Sequence, residues 1–129
     1  MRLARAIPIV TLLVCATGVA QAGNPFNGNW TASWQSTKGA LHHNNEADVV
    51  ILDDGGSFEN QRSASRNPCV GRKAPIAVKT ATQDELIFVI EFSTALKGCK
   101  DSEVKLKRVD DKTLKGFRDE DTEITLVKE

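Results

Sequence analysis

From Gly28 the chain alternates in chemistry, with Trp30, Ala32 and Trp34 on one side and Asn29, Thr31, Ser33 and Gln35 on the other. A period of two defines a half-buried β-strand. Ser36 to Asn45, rich in Gly, His and Asn, has the composition of an exposed loop. A second strand follows with Ala47, Val49 and Ile51 on one face, and Asp53-Asp54-Gly55-Gly56 turns it into a third over 57–62, glycine supplying the positive φ of a tight hairpin. Apolar runs at 75–80 and 86–92 flank a polar turn. Glu103 to Arg108, Thr113 to Phe117 and Thr122 to Val127 complete eight short strands separated by Asp-rich turns, with no convincing helix among them. The spacing predicts an all-β fold, an eight-stranded antiparallel up-and-down barrel, with a β-sandwich as the alternative. Trp30, Trp34, Phe58, Phe88, Val104, Leu106, Leu114, Ile124 and Leu126 form the expected core.

The two runs at 75–80 and 86–92 read as a hairpin bracketed by Cys69 and Cys99. A bridge between these cysteines would tie its open ends together. It would close a loop of about 30 residues, worth roughly 3 to 4 kcal/mol in the chain-entropy account.

The N-terminus changes the picture of where this chemistry takes place. Arg2 and Arg5, an apolar run from Ile7 to Val14, and Ala20-Gln21-Ala22 before Gly23 make residues 1–22 a secretory signal peptide. The apolar run is too short for a stable membrane span. Cys15 behind Leu12-Leu13-Val14 offers lipidation as an alternative. Cleavage after Ala22 leaves residues 23–129 as one β-barrel domain. The expected location is the periplasm or the exterior, where Cys69 and Cys99 form a disulfide. The whole chain has 17 basic and 17 acidic residues; without Arg2 and Arg5 the balance is 15 to 17, which gives no basis for nucleic-acid binding.

Phe26-Asn27-Gly28-Asn29-Trp30 resembles the G-x-W opening of the calycin group, the lipocalins and avidins. Thr113-Leu114-Lys115-Gly116, with Thr125-Leu126-Val127-Lys128 after an acidic turn, is similar to the closing strands of avidin-type barrels. The resemblance implies a small-molecule site in the barrel mouth, lined by Trp34 and the apolar strand faces, with Phe58 and Phe88 as further candidates. After Trp34 the chain has neither Trp nor Tyr, so the aromatic residues of an avidin biotin site are missing and biotin is not carried over.

Catalytic and metal chemistry find little support. His42 and His43 are neighbours on an extended segment and point to opposite sides, so one metal ion does not readily take both. Ser36, Ser57 and Ser63 lack a nucleophile motif. The acidic clusters fall in hairpin turns without the ligand spacing of a calcium loop. No cofactor is expected, and the chain is expected not to be an enzyme.

Two features point outward. Between Asn60 and Gln83 lie Arg62, Arg66, Arg72, Lys73 and Lys79 with no acidic residue, a local basic patch suited to an anionic partner. Leu86 to Phe92 is apolar on both faces apart from Glu91, so Ile87 and Val89 need cover from a folded-over segment, a second copy of the chain, or another protein. Two functions therefore stand side by side: an exported carrier of a small molecule, and a secreted or periplasmic protein-interaction module, an inhibitor or assembly subunit, using Arg62, Arg66, Arg72, Lys73, Ile87 and Val89.

Overall fold

The computed structural model describes residues 23–38, 41–62 and 67–129. The expected signal peptide, Cys15 and Arg66 lie outside these residues, as do the side chains of His42 and Arg62. The chain forms β1 (Gly28–Lys38), β2 (Leu41–Leu52), β3 (Gly55–Arg62), β4 (Ala74–Ala81), β5 (Glu85–Ile90), a one-turn helix α1 (Phe92–Ala95), β6 (Ser102–Asp110), β7 (Thr113–Arg118) and β8 (Thr122–Lys128). Each strand pairs antiparallel with the next, and β8 returns to β1 through Trp30 opposite Lys128 and Trp34 opposite Ile124, which closes the barrel. Closure leaves no unpaired sheet edge.

Two sequence expectations change in detail, and a third holds with an addition. Of the expected Ser36–Asn45 loop, the described residues 36–38 and 41–45 are strand: β1 and β2 pair far along this segment, with Ser36 opposite His43 and Trp34 opposite Asn45. The run at 86–92 ends as a strand at Ile90, and Phe92 begins the short helix. Around the β2–β3 turn Gly56 holds positive φ, at 136°, as expected of a glycine there, and Asp53 holds it too, at 55°, a conformation that Asp tolerates better than most side chains.

Inside the barrel the alternating phase is kept. Trp30, Ala32, Val49, Ile51, Phe58, Phe88, Val104, Leu106, Leu114, Ile124 and Leu126 are all buried, whereas Trp34, placed with them by its phase, is half-buried and packs at the edge of this cluster. Burial on this scale, at about 25 cal/mol per Å² of apolar surface, is the main force holding the fold. Two glycines let the wall curve tightly. A Cβ on Gly56 would sit 1.8 Å from the Val50 carbonyl oxygen, and one on Gly116 would sit 1.8 Å from that of Lys105. No side chain fits there without moving backbone.

The first end, where the chain enters, carries the turns after β2, β4 and β6. It is sealed. Phe26 is fully buried, its carbonyl accepts a 2.8 Å bond from Trp30 Nε1, and the Arg108 guanidinium lies 4.7 Å from the centre of its ring. Asn24 Nδ2 donates to the Asp53 carbonyl and Asn27 Oδ1 accepts from the Asp53 amide, so the lead-in is pinned to the β2–β3 turn. The opposite end carries the disulfide between Cys69 and Cys99, with Cα atoms 5.6 Å apart, and the loops it joins. The bridge ties the open ends of the β4–β5 hairpin, as its sequence position implies.

Candidate functional site

At the disulfide end the inward phase of the strands stops being apolar. Beyond Trp34, Ala47, Phe58, Ile90 and Ile124, the next inward positions are Ser36, Asn45, Asn60, Ser102, Arg118 and Thr122, each assigned by its strand register. A ring of polar groups facing into a barrel is informative because a purely structural core would continue with aliphatic side chains. We call this end the mouth.

The polar groups are only partly satisfied by one another. Asn45, 3% exposed, donates from Nδ2 to Ser36 Oγ at 3.0 Å. Asn60 Nδ2 donates to the Val70 carbonyl, while its buried Oδ1 has no partner among the described residues. Ser102, also 3% exposed, accepts a 2.9 Å bond from Arg118 Nε and donates to Asp119 Oδ2, and the Glu103 amide donates to Asp119 Oδ1 at 3.0 Å. Asp119 and Glu120 hold positive φ in the β7–β8 turn.

Arg118 is the centre of the mouth. Its guanidinium carbon lies 5.4 Å from the ring centre of Trp34, 5.8 Å from Phe58 and 5.5 Å from Phe92. The rings pack on one another, with Trp34 and Phe58 tilted at 5.8 Å and Phe58 and Phe92 edge-to-face at 6.2 Å. Such ring pairs add to simple burial, and their faces attract a cation. Burial draws the Arg118 pKa below its ordinary value, and the nearby Asp119 charge works in the opposite direction. The group stays charged at any physiological pH. Beside it is a concavity of about 490 Å³ whose lining includes Val70, Phe92, the disulfide, Lys100 and Arg118.

A wider groove of about 890 Å³ is lined by the exposed Ser33, Gln35, Glu46 and Glu123 and also by Trp34, Asn45 and Thr122, so it reaches the polar end of the barrel from the other side. Most of its polar side chains are exposed, whereas the smaller concavity is built around the half-buried Arg118 and the buried Phe92, which makes it the stronger site.

The residues named from the sequence divide clearly. Trp34 and Phe58 meet at the mouth, whereas Phe88 lies deeper, fully buried between its strand partners Val78 and Val104. Arg72 and Lys73 are exposed in the β3–β4 loop, and Lys97 and Lys100 are exposed on the other side of the disulfide. Ile87 and Val89 do face outward, half-buried, opposite Lys105 and Glu103 of β6. Glu103 bonds Lys79 at 3.1 Å and Lys105 at 3.4 Å, so an ion-paired cluster lines this face. The lead-in and the segment after β5 instead send Phe26 and Phe92 into the barrel. Arg118, Asn60 and Phe92 were missed. The signal for Arg118 was present: Leu114, Gly116 and Arg118 share one phase, and Leu114 is a core residue. Among the described residues no three His, Cys, Asp or Glu side chains are grouped to hold a metal ion, and no helix is long and apolar enough to cross a membrane.

No protein-family model matches the chain, and no curated protein or solved structure does so either.

Proposed function

We propose that this is an exported, non-enzymatic binding protein of calycin-like build that takes a small molecule in the mouth of its barrel. The observation that carries this reading is the change of chemistry inside the barrel, from aliphatic packing to a polar ring around Arg118, Trp34, Phe58 and Phe92. Most binding sites for small molecules combine apolar walls with a few directed polar groups in a concavity of several hundred Å³. The concavity beside Arg118 has that size, about 490 Å³, with Val70, Phe92 and the disulfide as its apolar part. The closed eight-stranded barrel and the disulfide fit the calycin-like, exported part of the reading.

The protein-partner reading ranks second. It draws on the exposed Arg72 and Lys73, but the half-buried Ile87 and Val89 lie beside the Lys79–Glu103–Lys105 cluster and offer a weaker apolar patch than their sequence suggests.

The test is native mass spectrometry of freshly exported protein, followed by NMR shift mapping with whatever small molecule is released. The expected result is a mature chain beginning at Gly23 with a bound small molecule, and shifts concentrated on Trp34, Asn60 and Arg118. A homo-oligomer or protein complex lost on replacing Ile87 and Val89 with Ser, with the mouth resonances unmoved, would transfer the function to the outer face.

A further inference from the structure

Arg118 has more hydrogen-bonding capacity than the protein uses. Its Nε is committed to Ser102 Oγ, but its two Nη groups donate to none of the described residues, and no described carboxylate lies within ion-pair distance. A half-buried guanidinium with its outer fork unfilled by described residues is prepared for a planar oxyanion, which it grips through two parallel bonds. The two acids at the mouth do not take that place. Asp101 Oδ1 accepts from both the Ser93 amide and hydroxyl, and Asp119 is occupied by Ser102 and the Glu103 amide.

The balance of charge selects among oxyanions. Arg118 and Lys100 line the concavity together with Asp101 and Asp119, so its lining is close to neutral. A doubly charged phosphate would meet two carboxylates there; a monoanion would need only the Arg118 fork. Beside the uncharged Asn67, Gly98 and Ser102, the lining has an apolar part made by Val70, Phe92 and the Cys69–Cys99 bridge, which suits a hydrocarbon or aromatic body.

We infer that the mouth binds a small monocarboxylate, its carboxylate on the Arg118 Nη groups and its apolar body against Phe92, Val70 and the disulfide. This rests on the proposed carrier function and narrows its ligand class.

The experiment compares matched probes on the oxidised mature protein: 4-phenylbutyrate against 4-phenylbutyramide, and octanoate against octanamide, with phenyl phosphate as a third arm. Binding is read by calorimetry and by tryptophan fluorescence. Each acid should bind about tenfold or more tightly than its amide, the expected difference for a charge-assisted pair over a neutral one. Arg118→Gln should remove that difference while leaving amide binding in place, and Lys100→Gln should reduce it only slightly. The acid-to-amide ratio in the unaltered protein decides the matter even if an Arg118 variant fails to fold. Equal affinity for acid and amide would overturn the carboxylate inference and leave the mouth as a neutral apolar site. Tighter binding of phenyl phosphate would overturn the choice of anion. If neither acids nor amides bind, both this inference and the carrier function fail.

Discussion

At the end where the chain enters the barrel, Trp30 is 1% exposed, bonds the Phe26 carbonyl, and belongs to a cluster of buried apolar side chains. At the mouth, Trp34 occupies the equivalent inward phase four residues later, yet it is half-buried and faces a guanidinium with unfilled donors. One strand thus presents the same residue type twice under opposite demands. The first end has its polar groups paired and its rings enclosed, which favours stability. The second leaves Asn60 Oδ1 and the Arg118 fork with no partner among the described residues, and a buried polar group left so is destabilising.

The sharpest way to break this contrast is to truncate both tryptophans. Trp30→Ala should cost about 3 to 5 kcal/mol, because a large buried ring leaves a cavity that its neighbours fill only in part. Trp34→Ala should cost less, about 1 to 2 kcal/mol, since only half of its surface returns to water. The second variant should nonetheless lose ligand binding. Equal losses of stability in urea denaturation would show that the two ends do the same work.

The sequence was most legible where the barrel is most apolar. Trp30-Ala32-Trp34, Val104-Leu106 and Ile124-Leu126 alternate so plainly that strand, face and core follow together. It was least legible at the mouth, for a physical reason: Ser36, His43 and Asn45 are inward-facing, but their polarity breaks the hydrophobic pattern, so two strands of one hairpin looked like a loop. Polar residues on a barrel's inner face escape a reading based on apolar periodicity. Phe92 was obscured differently. It follows Ile90 in the strand phase, and only the fold reveals that the chain turns there into α1 and places the ring over Phe58.

The disulfide sharpens the comparison because it belongs to the mouth alone. Replacing Cys69 and Cys99 with Ser should lower stability by about 3 to 4 kcal/mol in the chain-entropy account. Hydrogen exchange should then rise first in the β3–β4 loop and in α1, with the Phe26–Trp30 region little changed. Uniform loss of protection across both ends would mean that the bridge stabilises the barrel as a whole.

The two wall glycines give a smaller effect with a definite order. Gly116→Ala brings Cβ against the Lys105 carbonyl and should cost about 1 to 3 kcal/mol as the strands give way. Gly56→Ala meets the same obstruction at the Val50 carbonyl and adds the strain of φ 136°, so it should be the more damaging of the pair. Its effect should appear toward the entry end, where Gly56 pairs with Ile51. Thermal melts of both variants would reverse this order if φ mattered less than local packing.

The smallest difference is one of acid response. At the entry end Asn24 and Asn27 meet the Asp53 backbone, Asn27 Nδ2 also donates to the Asp53 carboxylate, and the Phe26 amide donates to Asn24 Oδ1, a group with no titrating proton. At the mouth the segment containing α1 is held by Asp101, whose carboxylate accepts from Ser93 Oγ at 2.7 Å and from the Ser93 amide at 3.0 Å. These two bonds, the hydroxyl first and then the amide, hold the Asp101 pKa below the ordinary aspartate value of 3.8. A depressed carboxylate pKa gives stabilisation that is complete above the unfolded-chain value and is lost as pH falls through the lower folded value. The Ser93 contact is therefore fully formed at neutral pH and should release only in strong acid. An NMR titration of the Ser93 amide should show a midpoint below 3.8, absent in Asp101→Asn, while the Phe26 amide, bonded to Asn24 Oδ1, remains steady through the same step. A Ser93 midpoint at or above 3.8 would mean that Asp101 does not anchor the mouth, and simultaneous movement of the Phe26 amide would remove the distinction between the two ends.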